Sequence, residues 1–147
     1  MKNLIFISII MITVLLAACS NEEIVSDRYT FIGEGEYWEA EYVFESEETQ
    51  KEKDGRTTYS TNNSDVFKLT YKGAVEDMQS IEKIEYNYKT SAGGGGGSRE
   101  FNEPPTDITL RSYSSDNGAK VYEEEIIPVI VKWDGFEESF ELVNKSE

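Results

Sequence analysis

Polar and apolar positions alternate along most of this chain. In residues 37–45, Trp38, Ala40, Tyr42 and Phe44 share one side and Glu39, Glu41 and Glu45 the other, the period-two signature of a strand with one buried face. Residues 65–71 repeat the pattern with Phe67, Leu69 and Tyr71 inward, residues 84–88 repeat it again, and residues 108–111 are a weaker copy. Near the carboxy terminus, residues 129–133 and 136–143 are two β-rich runs separated by Asp134-Gly135. That dipeptide predicts a type I′ hairpin, because both central positions of the turn need positive φ. Pro128 has no amide to donate, so its strand begins there or runs along an edge.

Helical periodicity is poor. Only residues 75–83 carry some helical character, and they read equally well as a loop leading into a strand. About seven short strands with turn signals between them and no alternating helices predict an all-β domain, a single antiparallel β-sandwich of immunoglobulin-like size. A small open β-barrel is the alternative. The run Gly93-Gly94-Gly95-Gly96-Gly97-Ser98 has linker composition. Neither flank holds enough strands for an independent sheet, so the expectation is one domain over residues 29–147, with a mobile glycine-rich loop at 92–98.

The first residues differ from everything after them. Lys2 precedes an uncharged apolar run, residues 4–16, which ends in Leu16-Ala17-Ala18-Cys19. The run falls short of the roughly 20 apolar residues of a membrane span, and the polar Ser20-Asn21-Glu22-Glu23 after it is no stop-transfer flank. It reads as a cleaved helical signal peptide, residues 1–18. Leu-Ala-Ala-Cys after such a run resembles the lipobox of bacterial lipoproteins. The resemblance implies cleavage between Ala18 and Cys19, a diacylglycerol thioether on Cys19, and attachment of the mature chain to the extracytoplasmic face of the cell membrane. Two acyl chains give stable anchoring where one is reversible. Residues 19–28 then read as a mostly polar tether, reaching roughly 25 to 30 Å when extended.

Charge and composition narrow the chemistry. There are 29 acidic and 14 basic residues, a formal net charge of −15, which argues against nucleic acid as a partner and against a domain lying flat on anionic lipid. A basic protein or peptide is the partner such a field attracts. The chain has no histidine and one cysteine. With Cys19 assigned to lipid, Ser-His-Asp, Cys-His and HExxH arrangements cannot be built, and no disulfide braces the domain. No cofactor or metal ligand set is assigned.

Weaker signals resolve to structural readings. Ser80-Ile81-Glu82-Lys83, Ser115-Asp116-Asn117 and Lys89-Thr90-Ser91 imitate the serine β-lactamase motifs. Their order is reversed, and S-x-x-K belongs on a helix. The glycine run lacks the Lys-Ser/Thr and helix of a phosphate loop. The acidic runs 45–48 and 123–125 read as solvated faces, since no EF-hand spacing exists. Tyr29, Tyr37, Tyr42, Tyr86 and Tyr88 lie in strand-like segments, where core packing is the default and an exposed face for sugars or peptides the functional alternative.

Two further segments, Gly33-Glu34-Gly35-Glu36-Tyr37-Trp38 and Trp133-Asp134-Gly135 with residues 136–142 after it, resemble the paired ends of small uncharacterised lipoproteins of Gram-positive bacteria. Those proteins bracket one β domain with a G-E-x-x-x-W strand and a W-N/D-G hairpin. Here Phe136 stands where a polar residue is common. The likeness implies fold and address, not an activity. The expectation is a non-enzymatic, lipid-anchored binding module without catalytic residues, or alternatively a self-protection or inhibitor lipoprotein that captures a secreted basic protein.

Overall fold

The computed structural model describes residues 21–53 and 55–145; the signal segment, Ala18 and Cys19 lie outside them. The fold is all-β. Eight strands follow in order: β1 (Asn21–Glu34), β2 (Trp38–Lys53), β3 (Arg56–Tyr71), β4 (Lys83–Tyr88), β5 (Gly95–Glu100), β6 (Thr109–Asp116), β7 (Ile127–Trp133) and β8 (Phe136–Asn144). The segment with mixed helical character supplies a single 3₁₀ turn, Val75–Met78, before β4. Ser80 of the S-x-x-K motif follows it in a turn, off any helix.

All eight strands belong to one sheet in the order β5-β4-β7-β8-β1-β2-β3-β6. The pairings β4–β5, β4–β7, β7–β8, β8–β1 and β3–β6 are antiparallel. The β8–β1 ladder is only two pairs long, Phe31↔Asn144 and Ile32↔Val143. The Lys145 amide extends this contact by donating to the Thr30 carbonyl at 2.7 Å, and Phe67 of β3 stacks on Tyr86 and Tyr88 of β4, strands far apart in the sheet order. The result is a nearly closed, flattened barrel. Of the two all-β arrangements expected, the open barrel describes the connectivity, while the facing halves retain the packing of a sandwich.

The alternating pattern places the core. Trp38, Ala40, Tyr42 and Phe44 of β2 are buried, as are Phe67 and Leu69 of β3, Ile84, Tyr86 and Tyr88 of β4, and Ile127, Val129 and Val131 of β7. Between Trp133 and Phe136 the backbone takes φ 43° at Asp134 and 86° at Gly135, which is the type I′ geometry expected of Asp-Gly.

The described residues form two compact units, 21–25 with 48–53 and 55–60, and 26–47 with 61–145. Within the first, Lys51 and Glu22 form an ion pair at 3.2 Å, and Ile24 and Val25 are exposed. The stretch 19–28, expected as an irregular tether, is thus strand from Asn21 onward. Pairing with a neighbouring strand satisfies its backbone without burying its side chains, so alternation could not reveal it.

The glycine run differs from expectation in the same way. From Gly95 it is β5, paired with β4 so that Gly95 faces Tyr88 and Gly97 faces Tyr86. The two tyrosine rings lie over the glycines: a Cβ at Gly95 would stand 2.6 Å from the Tyr88 hydroxyl oxygen, and one at Gly97 3.0 Å from that of Tyr86. On their other side both rings stack on Phe67, with centroids 4.3 Å from Tyr88 and 5.2 Å from Tyr86 and planes within 11°. Absent side chains make room for the aromatic layer, the arrangement by which aromatics cover edge glycines.

Valine at position 95 would overpack this layer. Gly95→Val is expected to lower unfolding stability by about 1–3 kcal/mol in urea titration, with loss of near-ultraviolet tyrosine dichroism; unchanged stability would mean that the run is a free loop.

Candidate functional site

Two turns meet at one end of the barrel. Phe140 and Leu142 of β8 point inward, so Glu138 shares their phase. A carboxylate there needs partners, and the β1–β2 turn supplies them. Glu138 accepts hydrogen bonds from the backbone amides of Glu36, of Tyr37 at 3.2 Å to each oxygen, and of Trp38 at 3.0 Å. The Lys72 ammonium donates to the Gly35 carbonyl at 2.9 Å and pairs with Glu34 at 2.9 Å. At the hairpin turn, the Asp134 carboxylate accepts from the amides of Glu82 and Lys83 at 3.2 and 3.3 Å. The G-E-x-x-x-W and W-D-G segments are thereby locked to each other through Glu138 and to the start of β4 through Asp134.

What this frame displays is aromatic. Trp38 is fully buried and contacts Tyr71 and Trp133 edge-on at 5.4 and 5.6 Å. Trp133 is half-buried and continues outward, 5.7 Å from Tyr37 and stacked 5.8 Å from Phe136. Tyr37 is 45% and Phe136 65% exposed. Rings therefore run without a break from core to solvent. Beside Trp133 and Phe136 lies a groove of about 500 Å3, lined also by Lys83, Glu85, Lys132 and Glu137. Two ion pairs, Lys83–Glu85 and Lys132–Glu137, both at 2.9 Å, edge it. Each pair holds its lysine above the usual ammonium range through the hydrogen bond to its glutamate. Aromatic rings framed by polar groups are the general composition of protein contact surfaces.

The other end of the barrel is polar inside. Asn63, 5% exposed, donates through Nδ2 to the carbonyls of Gly118 and Ala119 at 3.3 and 3.2 Å and to Asp116 at 3.4 Å. These bonds fasten the segment after β6 to β3, and Val121 within it is buried. Ser91 fastens the far side, donating through its amide and, at 2.7 Å, its hydroxyl to Glu125. Inside, the Tyr88 hydroxyl donates to Asp65 at 3.4 Å. Burial pushes the Tyr88 phenol up to about 12 and that of Tyr42 further, and the Asp65 charge adds to both. Burial also raises the Asp65 carboxyl, against hydrogen bonds from Tyr88 and Ser114. At neutral pH both phenols stay protonated, and that of Tyr88 acts as a donor.

The remaining sequence signals are dispersed. In the run 45–48, Glu45 and Glu47 point outward and Ser46 inward, and Glu45 pairs with Arg28 at 3.1 Å. Among the described residues no group of three His, Cys, Asp or Glu side chains is placed to hold a metal ion. Of the five tyrosines singled out in strand-like segments, Tyr42, Tyr86 and Tyr88 are core, Tyr29 is half-buried, and only Tyr37 joins the exposed rim. Glu138 and Phe136 were not singled out as functional. The phase of β8 held the signal for the first, as a charge at a core position; for the second it was an aromatic directly after the turn.

Compared with family models, curated proteins and solved structures, the chain matches none.

The Glu138 clamp is testable. Removing a carboxylate that satisfies three amides should cost about 2–3 kcal/mol, so Glu138→Ala is expected to lower the urea midpoint, whereas Glu137→Ala should leave it unchanged. Equal behaviour of the two variants would show that the turn–turn lock contributes nothing.

Proposed function

We propose that this chain is a bacterial lipoprotein whose β domain is a non-enzymatic binding module at the extracytoplasmic face of the cell membrane. Signal cleavage between Ala18 and Cys19 and diacylglycerol on Cys19 would provide the anchor. Support for the address is the Leu16-Ala17-Ala18-Cys19 sequence after an apolar run, with the chain's single cysteine at the position that such processing modifies.

The observation that carries the binding reading is the aromatic rim. Exposing Phe136 and Tyr37 is costly for a molecule that only needs to fold, since each ring forgoes burial worth about 1.5–3 kcal/mol for a side chain of that size. The surrounding backbone is fixed by Glu138 and Asp134, so the rings are presented with little conformational entropy left to lose on contact. The absence of histidine and the lipid assignment of Cys19 leave the chain short of the usual nucleophile–base pairs, which supports the non-enzymatic reading. The net charge of −15 favours, as a second reading, a self-protection or inhibitor lipoprotein with a basic protein partner.

Two measurements test the proposal. Cys19→Ala is expected to abolish fatty-acid labelling and release the protein from membranes; a labelled, membrane-bound variant refutes the anchor. After gentle solubilisation, a partner recovered with the native chain should fall at least tenfold for Tyr37→Ala/Phe136→Ala with the circular dichroism spectrum intact. Full recovery with that variant refutes the rim as the contact surface.

A further inference from the structure

A different surface, apart from the aromatic rim, lies along β6. This strand ends the sheet order, so β3 covers only one of its two edges, through an uninterrupted register from Asn63↔Asp116 to Thr70↔Thr109. Just beyond the last of these pairs, the Tyr71 amide donates to the Ile108 carbonyl at 3.1 Å. Backbone groups of an antiparallel strand turn to its two sides alternately. Leu110, Ser112, Ser114 and Asp116 therefore turn theirs toward β3, while Thr109, Arg111, Tyr113 and Ser115 present theirs to the open edge. At the other end of the sheet order, β5 forms no ladder with β6, and Gly97 and Ser114 stay exposed although the phases of their strands point inward. Proline and lysine, common guards of a free edge, are absent from Thr109–Asp116.

The residues with unpaired backbone groups also carry the outward side chains, since Leu110, of the other phase, is buried. Arg111 stands directly opposite Lys68, in a pair of the type without mutual hydrogen bonds, where Cα atoms approach to roughly 4.5 Å and side chains are closest. Like charges so placed destabilise a sheet. Neither cation takes part in an ion pair among the described residues. Glu41 of β2 lines a groove with Lys68, so the charge left facing the edge is that of Arg111. Two residues along the same face, Tyr113 opposes Val66 and is 72% exposed. In a chain of net charge −15, an unpaired guanidinium next to an exposed ring on a free strand edge suits a carboxylate and an apolar side chain brought by another chain.

We propose that the edge of β6 takes up an extended segment of a protein partner as an added antiparallel strand, with a carboxylate opposite Arg111 and an apolar side chain opposite Tyr113. Both of those side chains lie on one face of the segment, because residues i and i+2 of a strand share a face, as Arg111 and Tyr113 do. The segment's amides at the same two positions point to the carbonyls of Arg111 and Tyr113, and the amide between them points away. The inference goes beyond the aromatic rim and uses none of its residues. A second copy pairing through the same edge is a poorer occupant: the outward positions of β6 hold no carboxylate to answer Arg111, and two bodies of charge −15 repel.

The test uses the full chain purified in detergent and a fluorescently labelled heptapeptide, serine-threonine-valine-threonine-glutamate-threonine-serine, followed by anisotropy. In the antiparallel register its glutamate meets Arg111 and its valine meets Tyr113. The native chain should bind the peptide, more weakly as salt rises. Exchange of the peptide's glutamate for lysine, Arg111→Gln and Tyr113→Ser should each weaken binding about tenfold or more. N-methylation of the valine and glutamate amides should abolish binding, whereas N-methylation of the threonine between them should leave it unchanged. Arg111→Gln relieves the like-charge pair, so it should unfold at no lower urea concentration than the native chain; if it fails to fold, the peptide exchanges decide the matter by themselves. Phe136→Ala should bind the peptide normally. The proposal is overturned by absence of binding, by equal binding to Arg111→Gln, by indifference to N-methylation at valine and glutamate, or by native dimers that Arg111→Gln and Tyr113→Ser dissolve. Loss of the peptide with Phe136→Ala would place the contact at the rim, which overturns this inference and leaves the binding-module reading standing.

Discussion

Two tyrosine rings held between a strand of glycines and Phe67 set the geometry on which the barrel depends. Tyr86 and Tyr88 stand opposite Gly97 and Gly95, and Phe67 of the opposing half stacks on both. Rings of this size would force the halves apart if β5 carried ordinary inward side chains. Because Gly95 and Gly97, the positions opposite Tyr88 and Tyr86, carry none, the rings have room to stack on Phe67. Burial raises both the Tyr88 phenol and the Asp65 carboxyl to which it donates.

The aromatic chain extends from that interior to the surface by a second constraint, the Glu138 carboxylate. By accepting from three amides of the β1–β2 turn it fixes Tyr37 and Trp38 relative to the hairpin that carries Trp133 and Phe136. Core packing and surface presentation are therefore coupled: Trp38 is the buried end and Phe136 the exposed end of one set of rings. Ile32 and Val143, paired across β1 and β8, are exposed because they point to the outer face, out of phase with the buried Phe31 and Leu142.

How much was legible beforehand depended on where the signal resided. Wherever a strand buries one face, as in β2, β3, β4 and β7, the alternation of Trp38, Tyr42, Phe67, Tyr86 and Val129 with polar neighbours identifies it, and Asp134-Gly135 fixes the hairpin through its φ requirement. Residues 98–101 read as strand, but the glycine part of β5, Gly95–Gly97, was invisible because glycine has no side chain with which to alternate; its signal sits in β4, as the Tyr86–Tyr88 pair that needs a partner without side chains. The start of β1 was invisible because pairing there satisfies backbone groups while Ile24 and Val25 stay in solvent. The choice between sandwich and barrel turned on the two-pair seam at Ile32 and Val143, a long-range register that no local pattern encodes. Glu138 was legible in principle, as a carboxylate in the phase of Phe140 and Leu142, yet its partners lie 100 residues away in the sequence.

Proton NMR of the glycine strand tests the central claim most directly. If Tyr86 and Tyr88 cover Gly97 and Gly95, the α-protons of these glycines lie against ring faces, so they should show ring-current shifts well away from random-coil values and nuclear Overhauser contacts to the tyrosine ring protons. Random-coil glycine shifts with no contact to either ring would contradict the account, because the layer that closes the barrel would then be absent.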